Sequence, residues 1–166
     1  MHFSAYTKFA TALLLLMVGW ITSAHAQNNK PIRSGTWYED QASANLSPAT
    51  SVTLTFAQTP TDKFLNVTNV SCLVQINSEL ALRTFTLFVG TTSGSTDLGR
   101  GYNIRPTTGD AVGTLKVYSI ATNGVFFKMG PGRYPTIIAN TDVVTSSGTT
   151  PHVIVSCTMV GNLTDD

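Results

Sequence analysis

The chain has 166 residues, of which 42% are hydrophobic and 11% charged, with ten Lys+Arg against nine Asp+Glu. That length makes one ordinary domain with enough apolar residues to bury a core. A near-neutral chain without a basic stripe excludes a nucleic-acid surface, which must replace counterions, and excludes attraction to anionic lipid.

Residues 1–26 read as a secretory signal peptide. MHFSAYTKFA carries a single lysine, Lys8, TALLLLMVGWITSA is apolar, and Ala24-His25-Ala26 forms an A-x-A cleavage site. The alternative is an uncleaved N-terminal anchor, but a membrane helix needs ~20 apolar residues and this run is shorter. The A-x-A form points to bacterial export and a periplasmic or secreted location. No later segment is long and apolar enough to span a membrane. Loss of Lys8 with the signal leaves nine basic residues against nine acidic ones in the mature chain.

After Gln27 the sequence is rich in Val, Thr, Ile, Phe and Ser, punctuated by Gly, Asn and Pro, which is β chemistry. Residues 27–35, QNNKPIRSG, are polar and read as a flexible tail. TWYE (36–39) reads as a short strand and SANLSPAT (43–50) as a loop. SVTLTFA (51–57) alternates, with Val52, Leu54 and Phe56 on one side. FLNVTNVSCLVQIN (64–77) gives the longest strand signal. Its apolar phase is odd at Leu65 and Val67 and even from Val70 through Cys72, Val74 and Ile76. A bulge or bend is therefore expected near Thr68-Asn69.

ALRTFTLFVG (81–90) follows a turn at Asn77-Ser78-Glu79. Residues 91–113 form a long Gly/Thr/Ser stretch in which YNI (102–104) reads as a short strand. GTLKVYSIAT (113–122) and VFFKM (125–129) flank Asn123-Gly124, the chain's strongest signal for a type I′ hairpin. Gly130-Pro131-Gly132 then predicts a turn, because proline lacks an N–H and glycine tolerates positive φ. TIIAN (136–140) is a strand, TDVVTSSGTTP (141–151) a loop, and HVIVSCTMVG (152–161) the closing strand.

Many short strands without helices predict an all-β, single-domain antiparallel β-sandwich over 36–166, since each sheet must bury one face. A jelly-roll order is the first expectation and an immunoglobulin-like order the alternative. The Cys–Trp–Cys order of antibody domains is absent, because Trp37 precedes both cysteines. Cys72 and Cys157 share the apolar phase of their strands, so both point into one core where a disulfide can form. The alternative is two buried free thiols.

Catalytic signals are missing. His152 is the single histidine after residue 26, no G-x-S-x-G elbow occurs, and two bridged cysteines with one histidine make no standard zinc site. Asp97 alone among hydroxyls is a poor calcium loop. Glu39, Asp40, Asp62, Glu79, Asp97, Asp110 and Asp142 are the carboxylates open to glycosidase chemistry, and they read mostly as solvated loop charges. No phosphate-binding or dinucleotide fingerprint exists, so no cofactor is expected. The sequons at Asn45, Asn66, Asn69 and Asn162 are what a Ser/Thr-rich chain generates by chance.

The candidate ligand-binding residues are Asp97, Arg100, Tyr102 and Arg105 in the long loop, with Arg133 and Tyr134 at the tip of the Gly-Pro-Gly turn. Arg133 and Tyr134 are expected to be exposed there. Pro131, Gly132, Pro135, Thr136, Cys157, Thr158 and Gly161 form a pattern in which a PG..PT loop precedes a last strand of the form C(T/S)..G. Over 131–161 this resembles small exported bacterial proteins of uncharacterised function. The resemblance implies a compact β-sandwich and no particular activity. Three readings follow: a non-catalytic module binding glycan or a surface protein, a structural or assembly subunit of the cell surface, or an exported carboxylate-based hydrolase.

Overall fold

A computed structural model describes residues 30–142 and 150–165. The signal-peptide reading of 1–26 and positions 143–149 of the predicted last loop lie outside those residues. Ten strands are present and no helix occurs among the described residues. They are β1 (Ile32–Ser34), β2 (Trp37–Leu46), β3 (Ser51–Thr55), β4 (Phe64–Asn77), β5 (Leu82–Gly90), β6 (Arg100–Asn103), β7 (Asp110–Val112), β8 (Leu115–Met129), β9 (Tyr134–Thr141) and β10 (Val153–Thr164).

The strands form two antiparallel sheets, β1-β2-β10-β4-β8-β7 and β3-β9-β5-β6. The central orders 2-10-4-8 and 3-9-5-6 interleave two Greek keys, which is the jelly-roll arrangement. Alternation explains the packing. Val52 and Leu54, Phe85, Leu87 and Val89, and Ile137 and Ala139 face inward from one sheet. Val70, Val74 and Ile76, Tyr118 and Ile120, and Val153, Val155 and Met159 meet them from the other in a single core cluster. Each such buried aliphatic or aromatic side chain contributes about 1.5–3 kcal/mol relative to exposure.

Cys72 and Cys157 face each other directly across β4 and β10 and form a disulfide with Cα atoms 4.1 Å apart. The expected bulge is also present. Asn69 pairs with Val160 and Val67 with Gly161, so Thr68 has no opposite residue on β10.

Several local expectations need correction. Asn123-Gly124 makes no hairpin, because β8 runs unbroken through it and pairs with β4 along both halves. Val67 faces Phe127 and Asn69 faces Asn123, so Gly124–Phe126 lie opposite the Thr68 irregularity. Gly124, at φ +75°, absorbs the extra residues. The inward phase moves from Tyr118 and Ile120 to Val125, Phe127 and Met129 at the point where β4 changes phase. Continuing along β4 buries that second apolar set, which a hairpin would turn away from the core.

The tail is also more ordered than its polarity suggests, since Ile32–Ser34 pair with β2 as an edge strand. The TWYE strand extends to Leu46, absorbing the first part of the predicted 43–50 loop, because β10 supplies a partner from Trp37 to Leu46. The 91–113 stretch holds two edge strands, β6 and β7.

Candidate functional site

Among the predicted site residues, the structure brings Arg100 and Arg133 together. They line a cleft of about 440 Å³ with Phe64, Val89, Leu98, Lys128 and Gly130. The cleft lies at one end of the sandwich, where the start of β4 and the end of β8 approach the end of β5 and the start of β6. Its volume is that of an ordinary small-ligand site.

Two of the three cations are oriented by an aromatic ring or a backbone tie. Lys128 Nζ lies 4.7 Å from the centroid of the Phe64 ring. The Arg100 guanidinium lies 5.2 Å from the Phe127 centroid, and its Nη2 donates to the Lys128 carbonyl at 3.0 Å. These contacts hold long side chains that would otherwise lose rotamer freedom on binding.

Arg133 belongs to the turn between β8 and β9, and Gly132 there has φ +64°, as its turn position requires. The turn is fastened to residues 58–60. Thr59 Oγ1 accepts the Arg133 N–H at 2.8 Å and donates to the Gly130 carbonyl at 3.1 Å. The Thr59 N–H donates to the Arg133 carbonyl at 2.8 Å, and the Gly132 N–H donates to the Pro60 carbonyl at 2.9 Å. Gln58 Nε2 donates to the Gly132 carbonyl at 3.1 Å. Thr59 itself is 1% exposed. The expectation that Arg133 and Tyr134 stand exposed at a loop tip is corrected, because this fastening leaves both half-buried.

The other predicted residues go elsewhere. Asp97 folds back on its own loop, where its carboxylate accepts the Thr91 N–H at 2.8 Å, the Ser95 hydroxyl at 2.6 Å and the Thr91 hydroxyl. The Ser95 and Thr91 hydrogen bonds favour the ionised form and hold its pKa at about 2. Tyr102 packs against Phe127, with ring centroids 6.4 Å apart. Arg105 is exposed just beyond β6, and Tyr134 opens β9 opposite Gly90. None of these four lines the cleft.

Phe64, Val89, Leu98 and Lys128 were not singled out from sequence. VFFKM alternates, which marks Lys128 as outward-facing beside the turn, but only the β4–β8 ladder brings Phe64 to it. Asp40 is a further correction. It is no solvated loop charge but lies on the inward phase of β2, 2% exposed. Burial raises its pKa, against hydrogen bonds from the Ala57 and Gln41 backbones. Burial likewise raises that of its neighbour Tyr38, with the Asp40 charge adding to the effect.

Among the described residues, no group of three or more His, Cys, Asp or Glu is placed to hold a metal ion. No described helix is long and apolar enough to cross a membrane. No family model and no curated protein matches the chain. A chain of the solved "Cyanophage Pam1 capsid asymmetric unit" is similar at 17% identity over 83% of this chain and 95% of that one, with a TM-score of 0.36. A likeness at that score carries no functional weight.

Proposed function

We propose that this chain is an exported, non-catalytic binding module whose cleft takes an acidic glycan. The observation that carries this reading is the convergence of Arg100, Lys128 and Arg133 on one cleft whose lining includes no carboxylate. On a chain of balanced charge, three cations around Phe64, Val89 and Leu98 suit a ligand with one apolar face and one anionic group. A sugar ring carrying a carboxylate or sulfate has that form, and guanidinium groups meet such oxygens with paired hydrogen bonds. The disulfide supports an oxidising compartment.

Calorimetric titration with a hexuronate oligosaccharide, a sulfated oligosaccharide and a neutral glucan tests the proposal. The acidic ligands are expected to bind, with affinity falling as salt rises. Arg133→Gln and Arg100→Gln should each weaken binding by about tenfold or more. Equal binding of the neutral glucan, or no change in either variant, overturns it.

One observation favours an assembly subunit as a second reading. Phe126 is 93% exposed on β8, and β7 covers only Leu115–Val117 of that strand's outer edge. Between the Ser119 and Lys128 carbonyls, which accept from Thr107 and Arg100, that edge is open to pairing with another chain. Sedimentation that depends on concentration and is lost in Phe126→Ser would support this reading.

A further inference from the structure

Asp40 is the buried carboxylate for which ligand binding has no direct use. It lies on the core side of β2, opposite Met159 of β10. Its Oδ2 accepts the Ala57 N–H at 2.8 Å and its Oδ1 accepts the Gln41 N–H at 2.9 Å. The Tyr38 hydroxyl reaches toward Oδ2 at 3.5 Å. The titratable and charged groups acting on it are Tyr38, from the same strand, and Arg33, from the neighbouring β1. From the β3 side it receives only the Ala57 backbone.

Ala57 leads directly into Gln58 and Thr59, whose hydrogen bonds hold the turn bearing Gly130 and Arg133. Just before it, the Phe56 N–H donates to the Pro135 carbonyl at 3.0 Å. Residues 56–60 are therefore a strap, fixed at one side by a buried charge and at the other by one wall of the cleft.

We infer that Asp40 is a positioning residue for the cleft: its ionised carboxylate holds the Ala57 end of the strap, and neutralising it loosens the wall that presents Arg133. This rests on the cleft being the ligand site. A carboxylate accepts only, whereas a protonated carboxyl must donate from one oxygen, so neutral Asp40 meets two backbone N–H groups less well. Hydrogen bonds to a charged acceptor are the strong ones, so the strap loses its firmest anchor on protonation.

The effect on global stability has the opposite sign. A carboxyl whose folded-state pKa is raised binds its proton more tightly when folded. Its contribution to stability is therefore greatest at low pH and is lost as pH rises through the folded pKa. Acidification should favour folding at Asp40 while weakening the ligand, a split that a merely structural residue does not produce.

The test has two arms, run from about pH 8 to about pH 4. The first follows backbone amide resonances of the free protein. The Ala57, Gly130 and Arg133 amides are expected to titrate with one midpoint, above the ordinary aspartate range, and to stop doing so in Asp40→Asn. Independent titration of Ala57 and Arg133, or persistence in the variant, overturns the coupling whatever the ligand. The second arm measures binding of a sulfated oligosaccharide, whose charge stays constant across the range. Affinity should fall by about tenfold on acidification in the native chain. In Asp40→Asn it should be uniformly low and flat with pH. A flat profile in the native chain, with binding intact, sinks the positioning role and leaves the cleft standing. No binding at any pH sinks the cleft reading, and with it the role assigned to Asp40 there.

Discussion

The Gly130–Arg133 turn and the Thr91–Gly99 loop look alike in sequence, since both are glycine-bearing connections with an ionisable residue. Their ties differ. Hydrogen bonds of the turn reach partners 71 to 74 residues away, at Gln58 and Thr59. The Asp97 contacts of the loop span two to six residues. A local tie shapes a loop and leaves it free to move as a unit. A long-range tie fixes the loop to the body of the domain, and a side chain such as Arg133 is then presented at a defined place.

Four experiments sharpen that contrast. The strongest tie is covalent, so the double variant Cys72→Ala/Cys157→Ala should lose the most. A loss of about 2–5 kcal/mol in chemical denaturation is expected, because the bridge constrains a long stretch of unfolded chain. A loss below about 1 kcal/mol would mean that the β4–β10 ladder alone holds this register.

Thr59→Val keeps the shape of the side chain and removes the hydroxyl, leaving the Arg133 N–H and Gly130 carbonyl without it. Denaturation should show a loss of about 2–3 kcal/mol, with weaker binding of an acidic oligosaccharide. Thr59→Ser should restore both. If Thr59→Val bound as tightly as the native chain, the long-range tie would not position Arg133.

Gly124→Ala probes the bulge of β8. A side chain at φ +75° should cost about 1–2 kcal/mol, read from the shift in denaturation midpoint. An unchanged midpoint would show that the strand tolerates a different bulge geometry.

Asp97→Asn should have the smallest effect. The midpoint should stay unchanged while amide exchange quickens at Thr91. Asp97 is held below its ordinary pKa, so its ordering effect is complete above an unfolded pKa of ~3.9 and is lost as pH falls through about 2. A shift in the midpoint of ligand binding with this variant would show that the Asp97 ties also set the place of Leu98 in the cleft.

Much of the fold was legible in single residues. Val52, Leu54 and Phe56 gave β3 its face, and the phase change between Val67 and Val70 located the bulge. The shared phase of Cys72 and Cys157 indicated their meeting. The hairpin expected at Asn123-Gly124 failed because turn propensity is local, whereas β4 offered a partner along the whole of β8. Asp40 was misread for a related reason. The strand signal of TWYE ends before it, and only pairing with β10 carries the strand on to Leu46 and turns Asp40 to the inward face.

For the site, Arg100 and Arg133 were legible as cations near glycines. Their meeting with Lys128 and Phe64 was not, since four strand ends from two sheets build that cleft. The sequence by itself determined the longer strand segments, their buried faces and the shared phase of the two cysteines, because alternation with period two is written locally in each strand. Tertiary structure alone decided which strands became neighbours, which charge was buried and which cations converged, because those outcomes depend on register between segments far apart in the chain.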